Sequence, residues 1–265
     1  MPTIGFIGAG NMAEAIARGL LRAALFSREQ IVAIDPNPDR QRVFNEELGI
    51  RCNGGKSPAI CDVVVLAVKP FVVGEALSAI KSSLRPDALV ISIAAGISCK
   101  FIESTAGGQP RVIRVMPNTP MLAGKGMSAI AKGTYATDND VVMADRIFSA
   151  AGKTVRVSEE TMDAVTAVSG SGPAYIFYLT EALAAAGKAA GLNDTQAAQL
   201  ARETVIGAAA LLEQSKDAPT ELRRKVTTPN GTTQAAIETL EAGDFIGLMT
   251  KAITAAAKRS KELGK

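Results

Sequence analysis

The chain has 265 residues, 47% of them hydrophobic and 21% charged, with a net charge of +3. That near balance, with 4% aromatics and no Trp, excludes the basic stripe and stacking platforms of a nucleic-acid binder. There is no His and there are only three Cys, at 52, 61 and 99, so a His-based hydrolase is excluded and no metal site is expected.

The N-terminal half alternates short apolar runs with helical stretches. Thr3–Ile7 reads as a strand ending at Gly8, and Asn11–Leu25 as a helix. Ile31–Ile34 is a second strand, closed by Asp35-Pro36. Asp62–Val68 is apolar on both faces, as a buried parallel strand must be. Phe71–Leu84 reads as a helix stopped by Arg85-Pro86. Ala88–Ile93 and Arg111–Met116 are further strands, the latter followed by Pro117-Asn118-Thr119-Pro120. The alternation predicts an α/β fold with a Rossmann-type, doubly wound parallel sheet over residues 1–158.

Near Val157–Glu160 the composition changes. Strand-like runs stop, and Ala-rich helices are predicted at Thr161–Val168, Ala174–Ala190, Thr195–Gln214, Thr233–Glu241 and Ile246–Leu263. These define an all-α domain over 159–265. Several of its helices are apolar around most of their circumference, so they are expected to be buried on most sides. A domain of this size is expected to bury them against a second subunit, which makes it a dimerisation domain. No run of about 18 apolar residues suggests a membrane span, and the first residues lack a signal peptide's basic region. A cytoplasmic protein with its thiols reduced is expected.

Gly8-Ala9-Gly10-Asn11-Met12-Ala13 carries GxGxxA between a strand and a helix. That context is what a dinucleotide fingerprint requires: Gly8 for the tight turn, Gly10 for close approach of the pyrophosphate, Ala13 for helix–strand packing. Asp35 lies about 20 residues beyond, where an acid bonds the ribose 2′-hydroxyl of NAD. Arg40 suits the 2′-phosphate of NADP. The residues leave both coenzymes open, and Asp35 and Asn37 also read as helix caps. Lys69-Pro70 and Ala94-Ala95-Gly96 end two buried strands and are expected to line the same groove.

These motifs converge. GFIGAGNMA (5–13), AVKP (67–70), SIAAG (92–96), RVIRVMPNTP (111–120), DAVTAVSGSGPAY (163–175) and VTTPNGTT (226–233) occur in the order found in pyrroline-5-carboxylate reductases, and the chain resembles that family over essentially its whole length. The resemblance implies reduction of 1-pyrroline-5-carboxylate to L-proline, the last step of proline synthesis, with NADP(H) as coenzyme and NAD(H) also admitted. It implies a homodimer through the C-terminal helices, assembling further into a ring. Cofactor contacts are implied at Gly8, Ala9, Gly10, Asn11, Met12, Asp35, Asn37, Arg40, Ala67, Val68, Lys69, Pro70, Ala94, Ala95, Gly96 and Asn118. Substrate contacts are implied at Glu159, Ser171, Gly231, Thr232 and Thr233.

The chain departs from the family's pattern at three places. Asn230 stands where Gly is usual, and Asn tolerates the left-handed conformation. Lys225 replaces a usual Asn, and Asp35 a usual neutral residue. Backbone N–H groups of Gly231, Thr232 and Thr233 at a helix start suit the substrate carboxylate. The Thr233 hydroxyl is assigned the catalytic hydrogen bond to the ring nitrogen, although Thr232 or Thr233 also reads as a helix cap. Ser169–Pro173 is read chiefly as a close-packing segment that starts a helix at Pro173. Two rival readings stand beside this one. A β-hydroxyacid dehydrogenase would rest on Lys188 and Asn193, and a dinucleotide-sensing module would turn nothing over.

Overall fold

The computed structural model describes residues 2–53 and 57–264. Two compact units emerge. One contains residues 1–171 and 254–265, the other residues 172–253.

The first unit is an eight-stranded sheet. Its strands are β1 (Ile4–Ile7), β2 (Ile31–Ile34), β3 (Arg51–Cys52), β4 (Val63–Leu66), β5 (Leu89–Ser92), β6 (Arg111–Met116), β7 (Gly126–Lys132) and β8 (Gly152–Arg156), in the spatial order 3-2-1-4-5-6-7-8. Strands β1 to β6 are parallel and in the doubly wound order, with the topological switch point between β1 and β4. β7 runs antiparallel to β6, and β8 is parallel to β7, so the sheet is parallel only in its first six strands.

Helices cover both faces. α1 (Asn11–Arg22) and, later in the chain, α5 (Asp138–Ser149) bury Ile16, Leu20, Ile147 and Phe148 with Ile4, Phe6 and Val65 on one face. α2 (Pro38–Arg42) is a short turn after β2. On the other face, α3 (Val73–Ile80) and α4 (Cys99–Ala106) bury Leu77 and Ile102 against Ile7, Val64, Leu66 and Val90. This explains the unbroken apolar runs of β1 and β4, whose residues are all buried. Cys52, Cys61 and Cys99 are buried, and no disulfide joins them among the described residues. Burial first, then the Asp35 charge, raises the Cys52 thiol to about 11.

The chain then forms α6 (Met162–Val165), a wider helical turn over Thr166–Gly170, and the helices of the second unit. α7 (Gly172–Ala189) and α8 (Asp194–Gln214) form a hairpin. It is closed by Gly191 at φ +107° and by a reciprocal Asn193–Gln196 cap. α9 (Pro219–Lys225), α10 (Thr232–Ala242) and α11 (Phe245–Leu263) follow. The composition changes at 158/159, but the first compact unit continues to Ser171 and regains the chain from Thr254. The physical reason is packing: Met162 is fully buried with Ala129 and Ala131 of β7.

Candidate active site

The ends of β1, β2, β4, β5 and β6 define one rim of the first unit. At its centre, the Gly8 N–H donates to the Ile34 carbonyl (2.8 Å) and the Ala67 N–H to the Ile7 carbonyl (2.8 Å). Gly8 adopts φ +96°, and a Cβ there would lie 2.8 Å from the Ala67 oxygen and 3.0 Å from Val68 Cγ1. The fold itself therefore demands glycine at this turn.

Gly10 differs. Its φ of −66° is ordinary, and a Cβ built on it would meet no protein atom within 4 Å. It is the N-cap of α1 and has no side chain to cap the helix. The first-turn N–H groups, from Asn11 and Met12 onward, have no intrahelical acceptor and carry the positive end of the helix dipole. An open backbone beside an uncapped helix start fits a pyrophosphate. Ala13 is fully buried and lets α1 approach the sheet.

At the end of β2 the chain forms a clasp. Asp35 Oδ2 accepts from the Ala9 N–H (2.8 Å) and Oδ1 from the Asn37 N–H (2.9 Å). Asn37 caps α2 through the Asp39 N–H. Arg40 Nε donates to the Ala9 carbonyl (2.7 Å), and Arg40 Nη2 pairs with Glu14 at 2.6 Å. Glu14 also holds Arg18 at 2.8 Å. Burial pushes the Glu14 carboxyl up, but the hydrogen bonds and charges of Arg40 and Arg18 outweigh it and hold Glu14 below the usual carboxylate range.

Further along the rim, Lys69 is exposed, and Pro70 begins a tight turn closed by the Val72 N–H on the Lys69 carbonyl. Ala94 is buried, and its N–H donates to the fully buried Ser92 hydroxyl (3.3 Å). Ala95 and Gly96 complete that turn, with Gly96 at φ +78°. Asn118 is a junction. Its Oδ1 accepts from the Met127 N–H (2.8 Å), and its Nδ2 donates to the Ser169 carbonyl and hydroxyl (3.3 Å each). A Cβ on Gly170 would collide with the Met116 methyl. Ser171, whose N–H bonds the Thr166 carbonyl, therefore follows a close-packed segment. Gly172 next to it has open space.

Glu159 points inward. Its Oε1 accepts from the Cys99 N–H (2.6 Å) and faces the buried Arg114 at 3.4 Å.

In the second unit, Thr228–Gly231 forms a turn in which Asn230 takes φ +58°, the left-handed conformation expected of it. The Gly231 N–H donates to the Thr228 carbonyl (3.0 Å), so it closes the turn and is not free for an anion. Gly231 is the N-cap of α10 and has no side-chain cap. Thr232 and Thr233 stand one and two places inside the helix, so neither occupies the cap position. The Gln234 side chain braces the loop by accepting from the Asn230 N–H (2.8 Å). The first-turn N–H groups of α10 without an intrahelical acceptor are thus those of Thr232, Thr233 and Gln234, and not that of Gly231. Lys225 forms an ion pair with Asp217.

A family model described as "Pyrroline-5-carboxylate reductase dimerisation" matches residues 159–263, and one described as "NADP oxidoreductase coenzyme F420-dependent" matches residues 3–96. The pyrroline-5-carboxylate reductase of Pisum sativum is 43% identical over 263 residues, which cover 98% of this chain and 96% of that protein. This chain belongs to the pyrroline-5-carboxylate reductase family. Its relative from Pseudomonas aeruginosa is 42% identical, covering 99% of this chain and 97% of that protein. Among solved members of the family, the Coxiella burnetii reductase superposes with a TM-score of 0.93 at 37% identity, covering 100% of this chain and 99% of that one. The Plasmodium falciparum reductase, solved with NADP bound, superposes at 0.87 with 29% identity, covering 100% and 98%.

Family membership also bears on the dehydrogenase rival. Lys188 is 53% exposed on its side chain and pairs with Asp194 at 2.7 Å, the bland surface arrangement. Prephenate dehydrogenase from A. aeolicus, at 16% identity and a TM-score of 0.58, shares the fold alone.

Two features of the site carried no sequence signal. The Arg40–Glu14 pair and the Asn118–Ser169 link join segments far apart in the chain, and nothing in local periodicity announces either.

Proposed function

We propose that the protein reduces the C=N bond of 1-pyrroline-5-carboxylate to L-proline, completing proline synthesis, with a reduced nicotinamide dinucleotide as hydride donor. The observation that carries this reading is Gly10. No protein atom fills the space where its side chain would stand, and a dinucleotide pyrophosphate would fill it. The bound coenzyme supplies the hydride; the chain's residues supply position. The first-turn N–H groups of α1 hold the pyrophosphate. Those of α10, at Thr232 and Thr233, hold the substrate carboxylate, with Ser171 as a further contact. The Thr233 hydroxyl donates to the ring nitrogen. Hydride added to the imine carbon would be matched by one proton on the ring nitrogen, which solvent can supply near neutral pH without a His. Glu159 supports the site by holding Cys99 and Arg114.

Both NADPH and NADH serve. Asp35 suits a ribose 2′-hydroxyl, and Arg40 meets a 2′-phosphate only while shared with Glu14. The protein acts as a homodimer, because α7 leaves Phe177 and Tyr178 64% and 74% exposed and α11 leaves Ile246 77% exposed. A ring of dimers is the assembly that the resemblance implies. No helix among the described residues is long and apolar enough to cross a membrane. The buried thiols fit a reducing compartment such as the cytoplasm.

The test is loss of nicotinamide absorbance with pyrroline-5-carboxylate, run with NADPH and with NADH. Turnover is expected with both, and Asp35→Ser is expected to raise the NADPH:NADH ratio of kcat/KM about tenfold, one like-charge repulsion removed. Thr233→Ala is expected to lower kcat/KM about 10- to 100-fold. Dinucleotide binding without turnover would favour a sensor instead.

A further inference from the structure

The last helix ends against the coenzyme rim. From Thr254 onward the chain belongs to the first compact unit, and two contacts fix it there. Ser260 is buried, and its hydroxyl donates to Asp163 Oδ1 at 2.7 Å. Beyond it, the backbone of α11 lies on the turn that follows β5. A Cβ on Gly96 would lie 3.0 Å from the Ser260 carbonyl oxygen and 3.0 Å from the Gly264 nitrogen, and a Cβ on Gly264 would overlap the Gly96 carbonyl oxygen. Two glycines about 170 residues apart in the chain thus allow two backbones to touch, where any side chain would part them.

The turn in question is Ala94-Ala95-Gly96. On one side it is anchored by buried Ala94 and Ile97 and by the Ser98 cap of α4. On the other side the anchor is the end of α11. Gly96 holds φ +78°, so its carbonyl direction is set by a conformation that this neighbour keeps in place.

We propose that the end of α11 positions the Ala94–Gly96 turn for the dinucleotide, with Ser260 and Gly264 as positioning residues for coenzyme affinity. The inference rests on the coenzyme reading of this rim given above. Neither residue touches the coenzyme in this scheme. Each acts through the turn: Ser260 by locking the helix to Asp163, Gly264 by allowing contact with Gly96. A displacement of the turn by an ångström or so costs binding geometry steeply.

The experiment measures NADPH and NADH dissociation constants directly, by titration without pyrroline-5-carboxylate, on the full chain and on Gly264→Val, Ser260→Ala and Lys258→Ala, with thermal melts alongside. Lys258 is exposed on the same helix and serves as the control. Gly264→Val is expected to weaken both coenzymes about tenfold or more, Ser260→Ala by a smaller factor in the same direction, and Lys258→Ala not at all. With pyrroline-5-carboxylate added, the KM for coenzyme is expected to rise while the KM for the imine stays unchanged. A purely structural role predicts lowered melting temperatures with dissociation constants unchanged; that result overturns the proposal while leaving the coenzyme site standing. A wild-type chain that binds neither dinucleotide overturns the site reading itself. Ser260→Ala keeps the test decisive if Gly264→Val does not fold.

Discussion

The two compact units solve the same problem differently. In the first, β1, β4 and β5 are buried on both faces, and Phe6, Phe44 and Phe148 are completely enclosed. In the second, α7 has no buried residue and α8 has only Ala197 and Ala201. Their apolar side chains line an open groove of about 490 Å³ between Ile176, Phe177, Ala184, Ala198, Val205 and Ile206. The sheet completes its core within one chain; the helical hairpin does not. Apolar burial stabilises by about 25 cal/mol per Å², so a second unit left uncovered forgoes most of what its composition offers. The lesson is that an Ala-rich, apolar helix bundle with little interior is half of an interface.

The largest test of that contrast is a pair of charges in the groove. Phe177→Asp combined with Ile206→Asp is expected to dissociate the assembly, with each buried aromatic or aliphatic anchor worth about 2 kcal/mol or more. Together they weaken self-association about 1000-fold. Light scattering should show the monomer mass, turnover should fall about 100-fold, and dinucleotide binding by the first unit should persist. An unchanged mass with full turnover would mean that the exposed faces are not the interface.

A second pair of variants separates what the fold needs from what the ligand needs. Gly8→Ala forces a side chain into φ +96° and against the Ala67 oxygen, costing about 1–3 kcal/mol and lowering the melting temperature by about 5 °C. Gly10→Ala meets nothing in the protein, so its melting temperature is expected within about 2 °C of wild type. Its dinucleotide affinity is nevertheless expected to fall about tenfold or more, because the methyl group fills the space over the helix start. A destabilised Gly10→Ala with unchanged binding would remove the strongest support for the coenzyme site.

The contrast between the units also explains what was legible in the sequence. β1, β2, β4 and β5 were readable because burial on both faces makes an apolar run nearly continuous, and β6 through Val112, Ile113 and Val115 although the buried Arg114 interrupts it. The helices α7, α8, α10 and α11 were readable within one or two residues, because helix composition is local. β7 and β8 were not: Gly126–Lys132 carries Gly, Ser and Ala, Gly152–Arg156 is a mostly exposed edge, and neither shows a two-residue alternation. α5 had a usable signal in the Thr137–Asp140 capping box, which apolar periodicity does not weigh. At the site, the fingerprint glycines and the left-handed Asn230 followed from local backbone rules. The partners of Asp35, Arg40 and Glu159 did not, since each reaches a residue 26 to 60 positions away, and such pairings depend on register between elements. Gly231 shows the same limit at short range, because a turn bond three residues long decided whether its N–H was free.

The smallest expected effect concerns the Glu14–Arg40 pair, which ties α1 to α2 in the first unit. Folding lowers the Glu14 carboxyl, with the bonds from Arg40 and Arg18 outweighing its burial. A group whose pKa is depressed on folding stabilises the native state above its unfolded value and loses that contribution as the pH falls through its folded value. The pair is therefore intact at neutral pH and releases Arg40 on acidification below the usual carboxylate range. With the Glu14 side chain 16% exposed, its removal is expected to cost about 1–2 kcal/mol at pH 7. In Glu14→Gln that loss should shrink towards zero at low pH, so urea melts across the acid range should show the two stability curves converging. Since Arg40 also donates to the Ala9 carbonyl beside Gly10, the same titration should weaken NADH binding, which gains nothing from a freed Arg40, in the wild type more than in the variant. Parallel acid limbs would mean that Glu14 is a surface ion pair with no bearing on the loop.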